Sequence, residues 1–270
     1  MNILVTLNRN YVTQLITMLR SLVKSNKRVT FNVYIVHSSL VPEDFNRINR
    51  VEGFENITLI AIHMDKRPLG DAPVTERYPE EMYYRLLAPS YLPKNLDRIL
   101  YLDPDTIIIN PLEKLYNTSF EGNLFVAASH TESYLKRINN SALTSEEEEP
   151  YINSGVMLMN LELLREEQDV QELVDYVKCN RDRLWLPDQD IISGVYGKRI
   201  KLVDAMIYNL SERLLILYNI HPQNEEEPIT LDWVRKNTSI IHYCGDNKPW
   251  DDKYIGQLDV FYKDLLVTGT

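Results

Sequence analysis

Residues 98–109 read RILYLDPDTIII, and the fold turns on how this stretch is interpreted. Ile99, Leu100 and Leu102 form an apolar run of the length expected for a buried strand. Asp103 and Asp105 follow at once, two residues apart, with Pro104 stiffening the link between them. In open α/β sheets the ligand site lies outside the carboxyl ends of the strands. Two acids there would be well placed for chemistry, provided the preceding chain builds such a sheet.

Upstream, Asn2–Leu7 reads as a strand, and Tyr11–Val23 carries Leu15, Met18, Leu19 and Leu22 at helical spacing. Thr30–His37 is a second strand, and Pro42 with Glu43 and Asp44 opens a helix through Ile48. Asn56–Ile62 is a third strand. Tyr83–Leu87 is helical and expected to end before Pro89. Arg98–Leu102 is therefore the fourth strand of an alternating β and α pattern. The expected class is α/β, a Rossmann-like, mostly parallel central sheet flanked by helices on both faces. Downstream, Ile107–Ile109 is another short apolar run and Pro111 opens a turn or helix. Leu124–Ala128, Val156–Asn160 and Ser239–Tyr243 read as strands, and Leu161–Lys178, Asp188–Tyr196 and Leu231–Arg235 as helices. The four acids Glu146–Glu149 suit a solvated loop. No repeat or linker divides the 270 residues, so one domain is expected.

A net charge of −10 argues against a nucleic-acid partner, which requires a basic face. The apolar start, Met1–Leu7, lacks a basic flank and a cleavage site, and no stretch reaches the roughly 18–20 apolar residues of a membrane span. Only Lys253 and Lys263 are basic beyond Trp250, so membrane contact is at most peripheral and a cytoplasmic location is expected. Cys179 and Cys244 are too few for a disulfide framework and read as reduced, mostly buried thiols. The oligomeric state stays open.

Paired aspartates are hard oxygen ligands suited to Mg²⁺ or Mn²⁺, ions that complete their shell with phosphate oxygens. The same residues suit a turn with helix-capping acids. They also come near the signature of haloacid-dehalogenase-like phosphatases, with Asp103 as nucleophile and Asp105 as general acid/base, and Gly245–Asp251 imitates that family's late acidic motif. In those phosphatases, however, the nucleophile follows the first strand of the core.

Six blocks in order resemble glycosyltransferase family 8, the group of lipooligosaccharide galactosyltransferases and glycogenin. They are N-R-N-Y at Asn8–Tyr11, Y-R-L at Tyr84–Leu86, L-D-P-D at Leu102–Asp105, Y-I-N-S-G-V-M-L-M-N at Tyr151–Asn160, P-D-Q-D-I-I at Pro187–Ile192 and H-Y-C-G-D-N-K-P-W at His242–Trp250. The last three together are the specific ones. The resemblance implies a single GT-A domain over 1–270, with a nucleotide-binding part to about residue 110 and an acceptor part from 111. It implies retaining transfer of glucose or galactose from a UDP-sugar to a glycan or glycolipid acceptor, as in cell-surface polysaccharide synthesis. A catalytically inactive sugar-nucleotide-binding module is the alternative on the same fold. Asp103, Asp105 and His242 map onto the metal ligands, and the imidazole favours Mn²⁺, with Mg²⁺ as the other ion. Thr6, Asn8, Asn10 and Tyr11 map to the nucleoside, Pro104 to the metal loop, and Arg85, Asn153, Asp188 and Gln189 to the sugar. Gly245 and Lys248 map to the diphosphate, where lysine acts as a point charge. Asn8 departs from the family's usual aspartate, which puts base selectivity in question. For the chemistry, Gln189 would shield developing positive charge in a front-face reaction, and Asp188 or Asp190 would be needed as nucleophile in a double displacement.

Overall fold

The computed structural model describes residues 1–65, 69–70, 72–75, 79–130, 150–220 and 228–267. The acidic run Glu146–Glu149 lies outside the described residues. The strands are β1 (Asn2–Thr6), β2 (Phe31–His37), β3 (Ile57–His63), β4 (Arg98–Leu102), β5 (Thr106–Ile108), β6 (Phe125–Ala128), β7 (Val156–Asn160), β8 (Ile200–Val203) and β9 (Ile240–His242). The longer helices are α1 (Val12–Ser25), α2 (Pro42–Asn49), α3 (Leu161–Glu167), α4 (Val170–Asn180), α5 (Pro187–Tyr196), α6 (Glu212–Ile220), α7 (Leu231–Asn237) and α8 (Asp259–Val267).

Seven strands form one sheet in the order β3-β2-β1-β4-β7-β6-β8. The first four run parallel, β7 is antiparallel to both β4 and β6, and β8 returns parallel to β6. The expected mostly parallel sheet is present, with one reversed strand inside it.

Its strands read as continuous apolar runs because both faces are covered. Ile3, Val5, Leu100 and Leu102 pack with Leu15, Leu19 and Leu22 of α1 on one face. Leu4, Ile99, Tyr101 and Met157 pack with Tyr83, Leu164, Leu173 and Ile191 on the other. A third cluster holds β9, α6, α7 and α8 together, including Ile241, Leu214, Val234 and Phe261.

Three expectations need correction. The single helix over Leu161–Lys178 is two, because Asp169 caps a new start by accepting from the Gln171 N–H. Pro89 does not end the helical segment either. The 3-10 stretch Glu80–Leu87 runs straight into a helical turn, Ala88–Tyr91, in which proline occupies the first turn and lacks only a hydrogen bond that no residue there makes. Strand β8 and helices α6 and α8 carry weak periodicity and were not expected. Cys179 is exposed rather than buried, Cys244 is partly buried, and both are free. Among the described residues, no helix is long and apolar enough to cross a membrane.

Candidate active site

Two backbone pairings assemble the acidic centre. Strand β4 lies antiparallel to β7, with Leu102 opposite Val156, so the Asp103 N–H donates to the Gly155 carbonyl at 2.8 Å. Just beyond the motif, β5 pairs with β9, with Thr106 opposite His242, and the Tyr243 N–H donates to the Asp105 carbonyl at 3.0 Å. His242, 137 positions after Asp105, is thereby delivered to the carboxylates. Its Nε2 lies 3.2 Å from Asp105 Oδ1 and 3.6 Å from Asp103 Oδ2. One ligand atom from each of the three residues falls within 4.8 Å of the others.

These residues fit a divalent cation on their own geometry. Asp105 Oδ1 is buried and has no hydrogen-bond partner, a costly state for a carboxylate oxygen unless a ligand completes it. Gly155 leaves the space open. A Cβ at that position would come within 2.2 Å of His242 Cε1 and 2.6 Å of Asp103 Oδ2. Burial alone would raise the Asp105 carboxyl, but Lys248 and His242 beside it outweigh burial and hold it well below the usual carboxylate range. Lys248 Nζ donates to Asp105 Oδ2 at 2.6 Å and to the Tyr243 carbonyl at 2.8 Å. The turn that presents it uses Gly245 at φ +82°, in the left-handed region that glycine enters without strain.

A second ionic group stands behind the first. Arg85, in the 3-10 stretch, is buried, stacks 4.2 Å over the Tyr101 ring and bridges Asp103 Oδ1 at 2.9 Å and Asp188 Oδ2 at 3.1 Å. Tyr101, two residues before Asp103 on the same strand face, donates its hydroxyl to Asp103 Oδ1 at 2.5 Å. Burial pushes the Asp188 carboxyl above its ordinary range, against the opposing pull of Arg85 and the Ser154 hydroxyl.

All fourteen residues expected to contact the donor line one cavity of about 1070 Å³: Thr6, Asn8, Asn10, Tyr11, Arg85, Asp103, Pro104, Asp105, Asn153, Asp188, Gln189, His242, Gly245 and Lys248. Asp190 is not among the lining residues. Its Oδ1 accepts from the Tyr151 hydroxyl at 2.6 Å, and its Oδ2 from the N–H groups of Trp185 and Leu186 at 2.7 and 3.0 Å. It secures the start of α5 instead of facing the cavity. The Asn8 side-chain oxygen Oδ1 is also engaged, capping the short turn Arg9–Tyr11 by accepting from the Asn10 N–H at 3.0 Å. Sequence reasoning missed Tyr101, His130 and Asn209. Tyr101 could have been found from the two-residue period of the strand, whereas nothing in the sequence singles out the other two.

Comparison with known proteins agrees with this geometry. The family described as glycosyl transferase family 8 matches residues 2–254. The chain is 24% identical over 250 residues to a lipopolysaccharide 1,2-glucosyltransferase of Escherichia coli, covering 91% of this chain and 72% of that one. It is 26% identical to the glycosyltransferase GlyF of Streptococcus pneumoniae serotype 4, covering 98% and 61%. The crystal structure of the galactosyltransferase LgtC in complex with donor and acceptor sugar analogs superposes with a TM-score of 0.79 at 22% identity, covering 100% of this chain and 96% of LgtC. A match over so much of the length decides against the phosphatase reading of Asp103 and Asp105. The fold is GT-A, and the chain belongs to glycosyl transferase family 8 as a hexosyltransferase.

Proposed function

We propose that the protein is a retaining, metal-dependent transferase that moves glucose or galactose from a UDP-sugar to a hydroxyl of a glycan or glycolipid. The observation that carries this reading is the buried Asp105 Oδ1, without a hydrogen-bond partner, beside Asp103 and His242, on the wall of the cavity lined by every residue expected at the donor. Asp103, Asp105 and His242 would hold Mn²⁺, or Mg²⁺ in its place, which supplies charge neutralisation for a departing diphosphate. Relatives named for glucosyl and for galactosyl transfer support a hexose donor of either kind. A lipopolysaccharide-modifying relative supports a glycolipid acceptor. In this reading residues up to about 110 form the nucleotide side, and residues from 111 the acceptor side and the rest of one domain. Two free cysteines suit a reducing, cytoplasmic setting.

The protein's own groups divide the work. Arg85 holds Asp103 and Asp188 in fixed orientations and balances their charge inside the fold. Lys248 is the second cation at the diphosphate position, a mobile point charge that can turn from Asp105 to a phosphate oxygen. Gln189 Oε1 accepts from the Asn153 amide at 3.0 Å and the Ser154 N–H at 3.3 Å, so its amide is oriented before any substrate arrives. Retention then proceeds on the front face, with the departing phosphate taking the acceptor's proton. What supports this course over a double displacement is that both oxygens of Asp190 are already committed within the protein and that Asp188 Oδ2 is held by Arg85 and the Ser154 hydroxyl.

The test is UDP release from UDP-glucose and UDP-galactose with Mn²⁺, measured with and without chelator, in wild type and in His242→Ala. Chelator-sensitive release that the variant loses is the expected result. Tight donor binding without turnover under any acceptor would make the protein an inactive sugar-nucleotide-binding module.

A further inference from the structure

Asn209 lies in no recognised motif, is wholly buried, and touches the metal-ligand histidine. Its side chain is the middle of a chain of amides reaching from His242 to Gln189. His242 Nδ1 is 2.9 Å from Asn209 Oδ1, Asn209 Nδ2 is 3.0 Å from Asn153 Oδ1, and Asn153 Nδ2 is 3.0 Å from Gln189 Oε1. An amide can be turned end for end, so such a chain has two self-consistent directions unless something fixes it.

Here the backbone fixes it. The Gly155 N–H, which can only donate, points at Asn153 Oδ1 at 3.1 Å, and the Ser154 N–H points at Gln189 Oε1 at 3.3 Å. The Asn153 oxygen must therefore be the atom facing Asn209, so Asn209 presents its NH₂ to Asn153 and its oxygen to His242. The Asn209 oxygen accepts only, so the proton of neutral His242 must sit on Nδ1. Its Nε2 lone pair is then directed at Asp103 and Asp105. Two further contacts hold the centre in place. His130 Nε2 lies 2.6 Å from the Asn209 backbone carbonyl, and the His242 N–H donates to the Leu210 carbonyl at 2.8 Å.

We propose that Asn209 is a positioning residue that sets the His242 tautomer for metal binding and links the metal site to the sugar-facing amide of Gln189. The two backbone N–H groups that precede β7 set the direction of the whole relay. An acceptor on Nδ1 fixes both the tautomer and the ring plane of a ligating histidine, and loss of such a partner typically weakens metal affinity by roughly 10–100-fold. This inference rests on the reading of Asp103, Asp105 and His242 as a cation site.

The decisive measurement needs no variant. Long-range ¹H–¹⁵N correlation on the metal-free wild-type protein should show His242 protonated on Nδ1, and a ring protonated on Nε2 alone would overturn the proposal. Calorimetric titration with Mn²⁺ alone gives the second readout. Asn209→Ala should bind Mn²⁺ at least tenfold more weakly. Asn209→Asp restores an acceptor for Nδ1–H but loses the donor to Asn153. It should bind Mn²⁺ within about threefold of wild type yet show a raised KM for the donor, because the link to Gln189 is cut. Unchanged Mn²⁺ affinity in Asn209→Ala, with thermal unfolding confirming a folded protein, would also overturn the proposal. A wild-type protein that binds no Mn²⁺ at all would instead sink the cation-site reading, and the tautomer measurement would still judge the relay.

Discussion

Gly155 shows how tightly single residues are specified around the proposed cation position. Its missing side chain is space shared by His242 and Asp103, and any Cβ must push one of those groups aside. Gly155→Ala should therefore weaken Mn²⁺ binding by roughly tenfold to a hundredfold, the range seen when the shell behind metal ligands is disturbed. Titration calorimetry checks this, and a variant with wild-type affinity would show that the neighbours yield easily. The pair of aspartates was visible in the sequence, and so was the glycine inside its N-S-G-V block. The closeness of that glycine to the histidine was not, because the two stand 87 positions apart in the chain.

At the scale of elements, α5 illustrates how one D-Q-D block divides into separate tasks. Asp188 and Gln189 face the cavity from the first turn, while Asp190 reaches back to the N–H groups of Trp185 and Leu186. An acid at a helix start satisfies orphan donors and complements the dipole there. Asp190→Ala should lower the unfolding free energy by about 1–2 kcal/mol and leave substantial transfer activity. A denaturant melt beside a UDP-release assay separates the possibilities. Unchanged stability with abolished turnover would return Asp190 to the chemistry, as would a sugar adduct trapped on it. Sequence spacing alone could not choose between these roles, since residues two apart on a helix point in different directions and the turn before it decides which one faces inward.

For the whole molecule, stability should depend on pH through a group that no sequence motif singles out. His130 is partly buried beside His242, and the loss of hydration there lowers it from the ordinary 6.5 to about 4. A histidine with a depressed folded value stays neutral in the native state while the unfolded chain takes up a proton, so stability falls as pH drops from about 6.5 toward 4. Between pH 7.5 and pH 5 the loss assigned to this residue is about 2 kcal/mol. His130→Gln, which keeps a donor for the Asn209 carbonyl, should flatten the pH dependence of urea unfolding of chelated protein by that amount. An identical slope in both proteins would refute the assignment. The α/β class, the strand that ends in Asp103 and the motifs that carry the fourteen cavity residues were legible in the chain, because apolar periodicity and ordered motifs are local properties. Tertiary structure alone decided that β7 runs against its neighbours and that Asp190 turns away from the cavity. It also decided that Asn209 and His130 stand behind His242. Those facts depend on which strands pair and which donors the backbone leaves unsatisfied, and both are settled only when distant segments pack.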